Sequence, residues 1–139
     1  MTYGSVRHEI RVHRPADVVW GLVGDPARLH HWFPGITNCT VDGTQRVILL
    51  ASGMPMPEEI TVNDSVMRRF QYRITAPIFQ YHRGTIDVID LGDDTTLVVY
   101  STDADPRTMA LTIGGGTARA LDELKRQMES GQHDHTGAN

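Results

Sequence analysis

Between residues 106 and 128 the chain reads PRTMALTIGGGTARALDELKRQM. Apolar and small residues recur there at Ala110, Ile113, Gly114, Thr117, Leu121, Leu124 and Met128. Steps of three and four place them on one stripe of an α-helix. Arg119, Asp122, Glu123 and Arg126 occupy the other side, with Asp122 and Arg126 in i,i+4 relation. Asp105 as N-cap and Pro106 as first helical residue mark the start, and Gly131 marks the stop. Roughly two dozen residues rising about 1.5 Å each make a rod of about 36 Å. Such a rod needs a broad apolar surface to lie on. Gly114-Gly115-Gly116 interrupts its propensity, since each Gly costs up to about 1 kcal/mol relative to Ala in a helix interior. The triplet signals a kink, a break or a close approach to the helix backbone. It can also widen a neighbouring space by removing side chains.

The rest of the chain supplies that surface as strands. From Ser5 to His13, Val6, His8, Ile10 and Val12 alternate with Arg7, Glu9, Arg11 and His13, a half-buried strand. Arg14-Pro15-Ala16-Asp17 opens a short helix that Gly24 ends. Asp25-Pro26 opens a second, which runs to His31 or Trp32 before Pro34-Gly35. Six strands follow, over Ile36–Val41, Gln45–Ser52, Glu58–Val62, Val66–Thr75, Phe79–Leu91 and Thr95–Thr102. Turns are read at Asp42-Gly43, Asn63-Asp64 and Gly92-Asp93-Asp94. Met54-Pro55-Met56-Pro57 is excluded from regular strand by its prolines. Segregated strands followed by a helix make an α+β domain with an antiparallel sheet. It spans residues 1–131, and residues 132–139 read as a polar, disordered tail.

Bulk properties exclude several functions. A chain of 139 residues is one domain. A net charge of -4 argues against nucleic acid as partner. No apolar run is long enough for a membrane span, and the polar N-terminus lacks a signal-peptide core. The single Cys39 excludes an intrachain disulfide framework. Together these point to a cytoplasmic protein. No metal-ligand spacing is present: the adjacent His30 and His31 point to different sides of a helix, and His133-Asp134-His135 falls in the tail. No nucleophile elbow, dinucleotide fingerprint or P-loop is present.

The order of elements and their residues resemble the START/Bet v 1-like (SRPBCC) superfamily, and within it the bacterial polyketide cyclase/dehydrase and lipid-transport group. The likeness is carried by Ile10, Pro15, Val18, Val19, Trp20, Leu22 and Asp25 at the opening, and by Leu29 with Trp32-Phe33-Pro34. Glu59-Ile60, Asp64, Tyr72-Arg73-Ile74, Tyr81, Arg83-Gly84-Thr85-Ile86 and Thr96–Tyr100 carry it through the sheet. Ala120-Leu121, Leu124-Lys125 and Glu129 close it, so that it covers about residues 3–130. The resemblance implies a helix-grip fold: a curved, seven-stranded antiparallel sheet wrapped around the C-terminal helix. It also implies an apolar cavity between the two, partly closed by the short helices, and no cofactor. That fold hosts carriers, sensors and cyclases, so fold alone does not decide function.

Strand parity proposes the lining of such a cavity. Phe70, Tyr72 and Ile74 share the inner face of one strand, and His82, Gly84, Ile86 and Val88 that of the next. Val98 and Tyr100 are assigned inward by the resemblance, because both faces of their strand are apolar. Ile113, Gly114 and Thr117 face them from the helix. Three polar groups are then inward: Tyr72, His82 and Tyr100. Tyr hydroxyls can donate to a ligand carbonyl, and His can act as acid or base near neutral pH. The competing reading makes them core residues with backbone partners. Met54 and Met56 suit an adaptable apolar rim, with Trp32 and Phe33 as the opposite lip, or all four simply pack. Two functions from different classes follow. One is a carrier of a hydrophobic small molecule: lipid, sterol-like or aromatic polyketide. The other is a polyketide aromatase/cyclase or dehydrase using Tyr72, His82 or Tyr100. A dimeric partner-binding domain, using the last strand with its two apolar faces, is the weaker third reading, and the protein is expected to be a monomer or a homodimer.

Overall fold

A computed structural model describes residues 2–134 of the chain. Strand β1 (Gly4–Val12) leads into helix α1 (Ala16–Val23), a 3-10 turn (Pro26–Arg28) and the one-turn helix α2 (Leu29–Trp32). Six strands follow: β2 (Ile36–Asp42), β3 (Gln45–Leu50), β4 (Pro55–Asp64), β5 (Arg69–Ile74), β6 (Tyr81–Gly92) and β7 (Thr95–Asp105). Helix α3 (Arg107–Ser130) ends the fold. The seven strands form one curved antiparallel sheet in the order β1-β7-β6-β5-β4-β3-β2. This is the helix-grip architecture. No helix among the described residues is long and apolar enough to cross a membrane.

The local signals act mostly where they were read. Asp25 caps the 3-10 turn, its Oδ1 accepting from Ala27 N at 3.0 Å. Asp93 and Asp94 both take positive φ (53° and 56°) between paired Gly92 and Thr95, as a tight two-residue hairpin requires. Gly131 closes α3 in the left-handed conformation at φ 72°.

Four boundaries differ from the sequence reading. Asp105 belongs to β7, paired with Tyr81, so Pro106 rather than Asp105 is the N-cap of α3. The segment Pro55–Pro57 is regular strand, with Pro57 opposite Val47 and Pro55 opposite Leu49. Pro57 O accepts from Thr75 N, so the proline nitrogens of this parity face the β5 side. There β5 ends at Ile74, and the loss is confined to the last rung, where Pro57 accepts from Thr75 N but has no N–H to return. Asn63-Asp64 stays in β4; the turn lies at residues 65–68, closed by Arg68 at φ 52°. Residues 132–134 form turns rather than a free tail, with Asp134 on Arg14 at 2.8 Å and His133 on Gln127. Residues 135–139 of the expected tail, with His135, lie outside the described residues.

Helix α3 lies against β1 and β7 and makes most of its sheet contacts there. The approach is close because small residues meet. A Cβ on Gly4 would stand 2.8 Å from Ala110 Cβ, and one on Gly114 would stand 2.7 Å from Val6 Cγ1. The three glycines therefore have different roles. Gly114 admits β1, Gly116 faces the Phe33 ring, and Gly115 is exposed with open space around it. Helix α3 runs through all three without a break.

Gly115→Ala should accordingly stabilise the fold by about 0.5–1 kcal/mol, the helix-propensity gain. Gly114→Ala makes the same gain but drives a methyl into Val6 and should be net destabilising, by about 1 kcal/mol or more. Urea unfolding of the two variants, side by side, checks the contrast.

Candidate functional site

Where α3 stands away from β2–β5, a cavity of about 450 Å³ opens. Ile36, Ile48, Ile74, Phe79, Met109 and Ile113 give it apolar walls. Gly35, Ser52, Thr112 and Arg119 are exposed and form its rim. Its buried end is polar: Glu58, 2% exposed, and Tyr72, 4% exposed, line it there.

Glu58 is held by Arg46, its register partner across β3 and β4. Arg46 Nε donates to Glu58 Oε1 at 2.8 Å, and Nη2 lies 2.6 Å from the same oxygen. Arg46 Nη1 donates to Pro26 O at 3.1 Å. The guanidinium also sits over the Phe70 and Tyr72 rings, 5.3 and 5.1 Å from their centroids. Burial pushes the Glu58 carboxyl above its ordinary range, and the Arg46 charge and hydrogen bond act against that push. A second pair completes the buried end: the Tyr72 and Tyr100 hydroxyl oxygens are 2.5 Å apart. Burial raises both phenols, so both are neutral at physiological pH. Tyr72 can lie flat here because Gly84 opposes it on β6; a Cβ on Gly84 would stand 2.4 Å from Tyr72 Cζ.

The residues read from the sequence as cavity lining divide. Phe33, Met56, Tyr72, Ile74 and Ile113 line it. Phe70, Ile86, Val98, Tyr100 and Thr117 face inward but are fully packed in the core. Trp32 is 1% exposed and packs beside Tyr100 at 6.2 Å, so it is core and not a lip of the entrance. Met54 is 56% exposed and lies off the cavity, because the β3–β4 turn carries it into solvent. Gly114 is spent on β1, and Gly116 takes its place on the cavity wall.

His82 is buried behind Tyr72 and Phe79, 5.5 and 5.3 Å away ring to ring. Its Nδ1 accepts from Ile74 N at 2.9 Å, which puts the proton on Nε2. Burial lowers its pKa to about 4, with Asp103 acting weakly the other way. The imidazole is therefore neutral, off the cavity wall, and its lone pair pins the end of β5 to β6.

Arg46 and Glu58 were not singled out in the sequence. The available signal was parity, since Arg46 shares a face with Ile48. It was masked by Val47 and Leu49, which make the other face equally apolar, although these two prove 41% and 37% exposed. Among the described residues no cluster of His, Cys, Asp and Glu is arranged to hold a metal ion.

A family profile described as polyketide cyclase / dehydrase and lipid transport matches residues 3–129. The chain belongs to that family. No protein of curated function matches the sequence significantly. Among solved structures, the protein XoxI from Bacillus cereus superposes with a TM-score of 0.83 at 21% identity, over 88% of this chain and 94% of that one. Norcoclaurine synthase from Thalictrum flavum, in complex with dopamine and hydroxybenzaldehyde, gives 0.73 at 18% identity, over 92% and 87%. A START superfamily protein from Mycobacterium smegmatis gives 0.72 at 16%, over 89% and 98%. These likenesses establish the shared fold.

Two expectations follow from the buried end. Arg46→Met alone leaves a buried carboxylate without its cation and should cost roughly 3–5 kcal/mol, whereas Arg46→Met with Glu58→Leu should fall within about 1 kcal/mol of the parent or above it. Urea midpoints of the single and double variants decide this. For His82, the folded pKa of about 4 lies below the ordinary 6.5, so the unfolded chain binds the extra proton between those values. The stability it confers is complete above pH 6.5 and falls by roughly 3 kcal/mol as pH drops to 4. A His82→Gln variant should lose less stability than the parent over that window, as measured by chemical denaturation at each pH.

Proposed function

We propose that this member of the polyketide cyclase / dehydrase and lipid transport family binds a hydrophobic small molecule between its sheet and α3. The observation that carries the reading is the cavity itself, about 450 Å³ of mostly apolar space open at one rim. That size lies within the range of small-molecule sites, and the few polar groups gathered at one end are the usual means of fixing a ligand's orientation. The apolar walls supply affinity by removing ligand surface from water. Ile48, Ile74, Met109 and Ile113 give adaptable contact without directional demands. Lipid, sterol-like and aromatic polyketide molecules all meet these demands.

A second reading is favoured by one specific arrangement: a carboxylate and a phenol next to each other at the closed end of the cavity. Norcoclaurine synthase, which has a similar fold, is an enzyme whose structure holds aromatic molecules. In a cyclase or dehydrase of this plan, Tyr72 would donate to a substrate carbonyl with Tyr100 behind it, and Glu58 would move a proton. His82 would act only by positioning β5. The carrier reading ranks first because it needs nothing beyond the cavity.

The test begins with native mass spectrometry of freshly purified protein, followed by titration of the delipidated protein with 1-anilinonaphthalene-8-sulfonate. A co-purifying apolar molecule, or saturable probe binding, is the expected outcome. Met56→Trp, which fills the cavity from β4, should weaken probe binding about tenfold or more. Absence of any bound molecule together with no probe binding would remove this reading.

A further inference from the structure

The two polar groups at the buried end are each incomplete in a complementary way. Both Arg46 nitrogens that reach Glu58 meet Oε1, so Oε2 has no donor among the described residues. The carboxyl belongs to the cavity lining and its residue is 2% exposed. Tyr100 is 0% exposed, and its hydroxyl has one partner among the described residues, the Tyr72 oxygen. A hydroxyl carries one proton and accepts at two lone pairs. If Tyr72 donated to Tyr100, the Tyr100 proton would be buried without an acceptor, at the full desolvation cost of that group, adding to the His82 Nε2 proton, which is already buried without a partner among the described residues. Either oxygen can donate on geometry alone, and the less costly arrangement has Tyr100 donating to Tyr72. The Tyr72 proton is left over, and Tyr72 lines the cavity.

The residues that carry the unused acceptor and the unused donor both line the cavity and stand side by side in the sheet. Glu58 pairs with Ile74 and Ile60 with Tyr72, so Glu58 and Tyr72 are diagonal neighbours on adjacent strands. We infer that the buried end of the cavity is a receptor for a ligand hydroxyl, which donates to Glu58 Oε2 and accepts from Tyr72 Oη. One alcohol or phenol oxygen satisfies both groups at once. A ketone satisfies only Tyr72. A hydrocarbon leaves both unpaired in a dry site. A carboxylate brings no proton and meets Oε2 with a like charge. The ligand class is thus a neutral apolar molecule ending in a hydroxyl, and free fatty acids are rejected. The rim does not oppose this order of entry, since Arg119 lies at the mouth and not at the buried end. This inference rests on the small-molecule reading above and narrows it.

Three probes of one shape test it: 2-naphthol, naphthalene and 2-naphthoate, titrated by fluorescence into the delipidated protein at pH 7. Naphthol should bind about tenfold tighter than naphthalene, with naphthoate weakest. Glu58→Gln removes the negative charge and leaves Arg46 uncompensated, so naphthoate should gain about tenfold or more in that variant. Tyr72→Phe keeps the ion pair and should reduce the naphthol advantage several-fold toward naphthalene. It decides the matter should Glu58→Gln fail to fold. Naphthoate binding the parent as tightly as naphthol, or naphthalene binding equally, overturns the inference and leaves the cavity reading standing. Failure of all three probes to bind overturns the inference, and it overturns the cavity reading as well when no molecule co-purifies and 1-anilinonaphthalene-8-sulfonate does not bind.

Discussion

The seam between α3 and the β1–β7 edge of the sheet sets the shape of everything else. Ala110 and Gly114, four residues apart on the helix, meet Gly4 and Val6 on β1 at distances that leave no room for larger groups. Side chains that small let one flank of the helix press close. A straight rod cannot follow a curved sheet along its whole width, so the opposite flank stands away from β2–β5. The cavity is the space left by that one-sided approach. The same residues that weaken the helix by propensity therefore position it.

The buried end of that space carries a concentration of polarity that an apolar core would not need. An ion pair as deeply buried as Arg46 and Glu58 loses much of its Coulombic gain to desolvation. It gains from the Pro26 carbonyl and from the two aromatic faces under the guanidinium. Such a pair contributes little to stability by being there, and much by not being broken. Its place at the closed end of the cavity fits a role toward something in the cavity rather than toward the fold. His82 shows the contrary case. It is a titratable group of the type that signals catalysis, yet its lone pair is committed to the Ile74 amide and burial holds it neutral.

Backbone chemistry explains why the sheet tolerates residues that argue against strand. Pro55 and Pro57 lie where β4 outruns β5, so their missing donors fall at and beyond the last rung of the ladder, where Pro57 still accepts from Thr75 N. The rule that proline avoids central strands holds in terms of hydrogen bonds, not of strand position. A similar distinction applies to Gly84, whose role is to leave the space over which the Tyr72 ring lies.

Periodicity in the sequence was sufficient for the element order, the seven strands, the long helix and the inner faces of β5 and β6, whereas the inner face of β7, apolar on both sides, came from the family resemblance. Periodicity was sufficient because burial of one face imposes a period of two on a strand and about 3.6 on a helix, and both are local properties. Tyr72, Ile74 and Ile113 were legible as cavity residues for that reason, and Met56 and Phe33 as an adaptable apolar rim and its opposite lip. What the sequence could not supply was anything that depends on two elements at once. Arg46 and Glu58 become a pair only through the β3–β4 register, and β3 has apolar residues on both faces. Tyr100 and Thr117 share the inward parity of Tyr72 and Ile113 but are sealed by packing. Trp32 is taken into the core beside Tyr100, and Met54 is carried off the cavity by a turn. Parity fixes the direction in which a side chain points. Only tertiary structure fixes the distance to what it meets, and a cavity is a statement about distances.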